Sequence, residues 1–143
     1  MLSNSSKYAI KAVLFLALNS SEKNKVMVKD IAKPINVPQA YVAKLLQELA
    51  KEKIISSVRG SKGGFYLNDD NLNSTIMSII NVIDGDKRLY ACMLSLDACN
   101  EEKPCPLHKV LYSSRNNILN SLKSKTIQEL ALDVKVGHSF LPL

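Results

Sequence analysis

Lys29-Asp30-Ile31-Ala32-Lys33-Pro34-Ile35-Asn36-Val37-Pro38-Gln39-Ala40-Tyr41-Val42-Ala43-Lys44-Leu45-Leu46-Gln47-Glu48-Leu49-Ala50-Lys51 is the stretch on which the fold turns. From Pro38 onward, Val42, Leu45, Leu46 and Leu49 fall at i, i+3, i+4 and i+7, the spacing of a helix with one buried stripe. Pro38 suits a first helical position, where its missing N–H has no intrahelical partner. Lys29 to Ile35 reads as a shorter helix, and Asn36-Val37-Pro38 turns the chain between the two. The outer face of the second helix carries Gln39, Ala40, Lys44, Gln47 and Lys51. Two short helices across a tight turn, the second amphipathic with small and polar residues at its start, form the helix-turn-helix pattern.

Downstream, Ile54-Ile55-Ser56-Ser57-Val58 and Phe65-Tyr66-Leu67 are β-prone runs around the turn-rich Arg59-Gly60-Ser61-Lys62-Gly63-Gly64. A hairpin directly after a helix-turn-helix is a wing, and its tip holds Arg59, Gly60, Ser61 and Lys62. The glycine loop lacks the strand-loop-helix context and Gly-Lys-Ser/Thr ending of a nucleotide site, so a hairpin tip is the better reading. A helix follows from about Ser74 to Ile83, with Gly85 just beyond as a cap. Upstream, Lys7 to Leu18 reads as an apolar helix that must be buried on most sides.

Beyond the wing, all three cysteines fall together as Cys92-x6-Cys99-x5-Cys105-x2-His108. Three thiolates and an imidazole from one segment suffice for a four-coordinate metal site, and zinc and iron centres both accept such donors. The gaps are longer than those of a usual zinc knuckle, and cysteines that merely sit in a partly buried loop are the third reading. From Pro106 to Leu122 a long helix is expected, with Leu107, Val110, Leu111, Ile118, Leu119 and Leu122 forming an apolar stripe that needs a partner. Thr126-Ile127-Gln128-Glu129 has the form of a capping box and begins a last short helix. The chain thus divides into a winged helix-turn-helix over 1–84, a cysteine segment over 85–105, the long helix with a C-terminal helix over 106–134, and a loose tail over 135–143.

Composition narrows the classes of function. A chain of 143 residues can bury a real core, and its net charge of +6 favours polyanionic partners. The apolar run near the start is interrupted by Lys11, lacks a cleavage pattern, and is shorter than the roughly 18 residues a membrane helix needs. An odd number of cysteines and no leader point to a reducing cytoplasm, with no membrane partner. No Ser-His-Asp or Cys-His-carboxylate arrangement suggests catalysis, so an enzyme is not expected.

The whole resembles the IscR and NsrR family of winged-helix regulators, the Rrf-two (Rrf2) family. The resemblance rests on Ser6-Lys7-Tyr8-Ala9, on Tyr41 with Leu45-Leu46, on Val58-Arg59-Gly60 continuing to Gly63-Gly64-Phe65-Tyr66-Leu67, on the cysteine segment, and on Thr126 to Leu130. It implies a mainly helical fold with a small β-hairpin wing, and a homodimer joined through the long C-terminal helix. It also implies that Cys92, Cys99 and Cys105 are the thiolates of an iron–sulfur cluster. IscR-like members share a His three positions after the last Cys, which favours a 2Fe-2S centre with His108 as fourth ligand. NsrR-like members bring a carboxylate to a 4Fe-4S cluster from the residue before the first-helix Tyr; here that residue is Lys7, which cannot ligate iron while protonated. The first intercysteine gap is one residue longer than IscR-like patterns, and Ala43 stands where they carry a glutamate.

The expected function is that of a dimeric, DNA-binding transcription regulator, a repressor, whose affinity for double-stranded DNA is set by the cluster as a redox sensor. Gln39 can bond adenine in a bidentate way, Ala40 can meet a thymine methyl, and Lys44 suits phosphate or guanine. Tyr41 is a further expected groove contact, Arg59 can enter the minor groove with Gly60 and Ser61 beside it as DNA-binding residues, and Lys62 and Lys7 can meet phosphates. The rival expectations are a zinc-binding or clusterless regulator of the same fold that responds to a small molecule or partner, and an electron-transfer iron–sulfur protein.

Overall fold

In a computed structural model, which describes residues 1–95 and 97–143, the chain forms eight helices and one two-stranded sheet among the described residues. The first helix, α1, spans Asn4–Asn19 and begins before the expected Lys7 because Ser3 caps it, its Oγ accepting from the Ser6 N–H at 2.9 Å. Helix α2, Val28–Ile35, ends at Asn36, which takes the left-handed conformation at φ 58° and bonds back to the Lys33 carbonyl at 3.1 Å. That single residue makes the sharp exit of the helix-turn-helix.

The second helix of the motif, α3, spans Gln39–Lys51. Pro38 is its N-cap rather than its first helical residue: it is extended, and its carbonyl accepts from the N–H groups of Tyr41 at 3.0 Å and Val42 at 3.1 Å. The stripe read from the sequence is the buried one, with Val42, Leu45, Leu46 and Leu49 all in the core.

Strands β1, Ser56–Val58, and β2, Gly64–Tyr66, pair antiparallel with Ser57 opposite Phe65. They are shorter than the apolar runs suggest because Ile54 and Ile55 are drawn into the core, where Ile54 N–H is taken by the Leu49 carbonyl at 2.9 Å. The sheet gains a bridge absent from the sequence reading: Val26 exchanges two backbone bonds with Phe65, at 2.9 and 2.8 Å. Gly64 permits this approach, since a Cβ there would stand 2.7 Å from the Val26 carbonyl oxygen.

A one-turn helix α4, Asp69–Leu72, escaped the sequence reading. Its buried Asn71 bonds to Ser56 Oγ, to Asn68 N–H and to the Lys53 carbonyl, so one amide ties the wing to the turn that follows α3. Helix α5, Ile76–Asp84, runs between the Thr75 cap and Gly85, and a one-turn α6, Lys87–Tyr90, follows within the cysteine segment.

Helix α7, His108–Ser124, is the long C-terminal helix, and α8, Ile127–Lys135, returns to the body. The expected capping box is present, with Thr126 and Glu129 bonding each other's backbone N–H. Thr126 and Thr75 pair across the two helix starts, and Ile127 and Leu119 join the core that surrounds α1. Leu141 also packs against this core, so part of the segment expected to be loose is held. Burial of side chains such as Leu16, Ile31, Leu46 and Ile79 stabilises the body by about 1.5–3 kcal/mol each.

Candidate functional site

Two surfaces deserve separate construction, the head formed by α3 and the wing, and the cysteine segment between α5 and α7. On the head, Gln39, Ala40 and Lys44 are exposed together along the outer face of α3, as their spacing requires. Arg59, Gly60, Ser61 and Lys62 are exposed at the wing tip, where Gly60 takes φ 109° and its carbonyl accepts from Gly63 N–H at 3.0 Å. Gly63 is required by space, because a Cβ there would stand 2.1 Å from the Val58 carbonyl oxygen. A cleft of about 560 Å³ separates helix from wing, and Gln47, Lys51, Arg59 and Phe65 line it.

Tyr41 differs from its neighbours. It is half-buried, its hydroxyl shares a hydrogen bond with Ser5 Oγ at 2.5 Å, and its ring meets that of Tyr8 edge-on at 6.1 Å. Its contacts therefore fix α3 against α1. Lys7, one residue before Tyr8, is exposed. Two further cations flank the motif: Lys29 and Lys33, one helical turn apart on α2, border a second depression with Asn36 and Gln39. Their i, i+4 spacing on the outer face of the first helix of the motif was the signal for them in the sequence.

The cysteine segment is held by its own backbone. Ala91 pairs with Ala98, Cys92 N–H donates to the Asp97 carbonyl at 2.8 Å, and Cys99 N–H donates to that of Tyr90 at 3.2 Å. This small hairpin puts Cys92 and Cys99 on opposite arms, and Cys105 stands at the entry to α7, its carbonyl accepting from His108 N–H at 2.9 Å. All three cysteines are free and half-buried.

Cys99 Sγ lies 3.1 Å from His108 Nδ1. Among the described residues no three of His, Cys, Asp or Glu converge on one point as a single tetrahedral ion would need. Three soft thiols and an imidazole gathered in one segment suit iron–sulfur chemistry, so the donor set fits such a group. The Leu94 N–H beside Cys92, then the Cys105 thiol, and further off the Arg115 guanidinium hold the Cys92 thiol below the ordinary thiol range against partial burial. His108 is also stacked on Tyr112, with ring centroids 4.8 Å apart, and Tyr112 Oη donates to Glu101 Oε1 at 2.5 Å.

The expected apolar stripe of α7 divides. Leu119 is buried in the chain's own core and Leu122 packs against it, whereas Val110 is 69% and Ile118 38% exposed. Leu111 is half-buried, and Leu107 is the N-cap residue, one position outside the helix. No helix among the described residues is long and apolar enough to cross a membrane.

Residues 2–133 match the family model described as "Rrf2: Iron-dependent Transcriptional regulator". A helix-turn-helix-type transcriptional regulator of Aquifex aeolicus is 31% identical over 142 residues, covering 98% of this chain and 96% of the relative. The regulator IscR of Vibrio cholerae is 29% identical over 135 residues, covering 94% of this chain and 77% of the relative. Among solved structures, CymR, the global cysteine regulator of B. subtilis, superposes with a TM-score of 0.75 at 23% identity, covering 92% of this chain and 96% of that one. T. potens IscR does so with a TM-score of 0.72 at 22% identity, covering 97% and 91%. The two sequence relatives are transcriptional regulators, not enzymes.

Proposed function

Because this chain belongs to the Rrf2 family of transcriptional regulators, we propose that it is a homodimeric repressor whose affinity for double-stranded DNA is set by a 2Fe-2S cluster held by Cys92, Cys99, Cys105 and His108. The observation that supports the cofactor reading is the gathering of three free thiols and an imidazole between α5 and α7, with Cys99 Sγ 3.1 Å from His108 Nδ1. When bound, such a cluster supplies a redox-sensitive link between these four side chains.

The chain's own residues do the rest. Gln39, Ala40 and Lys44 face the major groove, Arg59 and Lys62 bring the wing to the backbone and minor groove, and Lys7, Lys29 and Lys33 add phosphate contacts. The exposed Val110 and Ile118 of α7, with Leu107 and Leu111, form the dimer face. Leu119 and Leu122 join that helix to the winged body, so a change at the start of α7 reaches both reading heads. The two α3 helices of a dimer must span half-sites about 34 Å apart or a multiple of it, and a small shift in their separation changes affinity with no change at the bases. Such a regulator works in the cytoplasm.

Protein purified without oxygen should be brown, contain iron and sulfide, and lose both in Cys105→Ala. Colourless protein with one stoichiometric zinc would exclude the cluster.

A further inference from the structure

His108, Tyr112 and Arg115 stand at i, i+4 and i+7 on α7, so they share one face. The His108 and Tyr112 rings stack at 4.8 Å with 29° between their planes, and the Arg115 guanidinium carbon lies 5.8 Å from the Tyr112 centroid. The row runs directly from a proposed ligand to a fixed cation. Arg115 Nε is buried, yet it has no hydrogen-bond partner among the described residues. The carboxylate bonded to this row, Glu101, accepts the Tyr112 hydroxyl, and the ion pair among the described residues is Lys125 with Glu129, beyond the end of α7.

A buried donor on a guanidinium is costly unless an acceptor meets it, the more so because the group is charged. Nothing in the apolar core asks for a cation here, whereas the Cys92 thiol feels the charge of this guanidinium. We propose that Arg115 is the cationic positioning residue of the cysteine centre, its Nε–H donating to a sulfur of that centre and its charge offsetting that of the thiolates. The assignment rests on the reading of Cys92, Cys99, Cys105 and His108 as iron–sulfur ligands. It implies that Arg115 tunes the centre's reduction potential: each added electron makes the centre more negative, and an adjacent cation lowers that cost.

The test uses the full chain reconstituted anaerobically with iron and sulfide, in wild-type form and as Arg115→Gln and Arg115→Lys, titrated by visible absorbance and electron paramagnetic resonance. Arg115→Gln should shift the equilibrium about tenfold against the reduced form, about 59 mV for one electron, and Arg115→Lys should recover part of that shift. Loaded wild type and loaded Arg115→Gln with the same potential would overturn the assignment alone. Wild type that takes up neither iron nor sulfide would overturn the ligand reading, and Arg115 with it. If Arg115→Gln does not load, Arg115→Lys decides: loading restored by the retained charge supports the assignment, while two folded but unloaded variants would mark Arg115 as a merely structural residue.

Discussion

Asp84, the last residue of α5, accepts hydrogen bonds from Ser6 Oγ at 2.8 Å and from Ser3 Oγ at 2.5 Å, which fastens the root of the cysteine segment to the first turn of α1. Ser5, in the same turn, bonds Tyr41 of α3. Two contacts therefore separate Gly85, where the cysteine segment begins, from α3, which carries the residues proposed to face the bases.

Burial opposes ionisation of Asp84, but the Ser3 and Ser6 hydroxyls and the Ser3 N–H, helped by Arg88, outweigh it and hold the carboxyl below its usual range. A carboxyl lowered in the folded state contributes stability above its unfolded value of about 3.9, and that contribution is lost as pH falls through the folded value. Asp84→Asn should therefore cost on the order of 1 kcal/mol near pH 7, discounted for solvent exposure, and progressively less below about pH 4. Urea melts of both proteins across pH 3 to 7 check this; a constant difference at all pH values would contradict it.

Tyr41→Phe removes the hydroxyl that meets Ser5 and leaves the ring against Tyr8. Stability should fall by about 1 kcal/mol, and DNA affinity should fall for all sequences alike if the hydroxyl held by Ser5 serves to place α3. Fluorescence anisotropy with operator and scrambled duplexes measures both; a loss confined to the operator would make Tyr41 a base reader.

Much of this was legible beforehand, and the particulars show why. The buried stripe of α3, the Thr126 capping box and the wing follow from local periodicity and turn chemistry, so they are fixed by neighbours in sequence. The Val26 bridge to Phe65, the Asn71 amide under the wing and the Asp84 clasp on Ser3 and Ser6 join residues far apart in the chain, which no local pattern encodes. Pro38 was displaced by one position because both a cap and a first helical residue suit proline's fixed φ. The cysteine spacing points to a candidate ligand group, while the approach of Cys99 to His108 depends on a fold of the segment that no local pattern encodes.

Arg59→Ala removes a cation from the exposed wing tip. Binding to a specific duplex should weaken by about 1–3 kcal/mol, and the slope of log K against log salt should decrease by about 1. Unchanged affinity and slope would take Arg59 out of the interface.

Ile118→Asp and Val110→Asp place charges on the exposed part of the α7 stripe, so the fold should change by no more than about 0.5 kcal/mol while the dimer dissociates. Light scattering should report the monomer mass. Leu119→Asp, by contrast, buries a charge in the chain's own core and should unfold it.

Control of DNA affinity by occupancy of the cysteine centre is measured by titrating one operator duplex with the same preparation before and after anaerobic removal of iron. Loaded and stripped dimers should have dissociation constants that differ by tenfold or more, about 1.4 kcal/mol of coupling, with Cys105→Ala matching the stripped protein. Equal affinities for loaded and stripped protein, both dimeric, would contradict it.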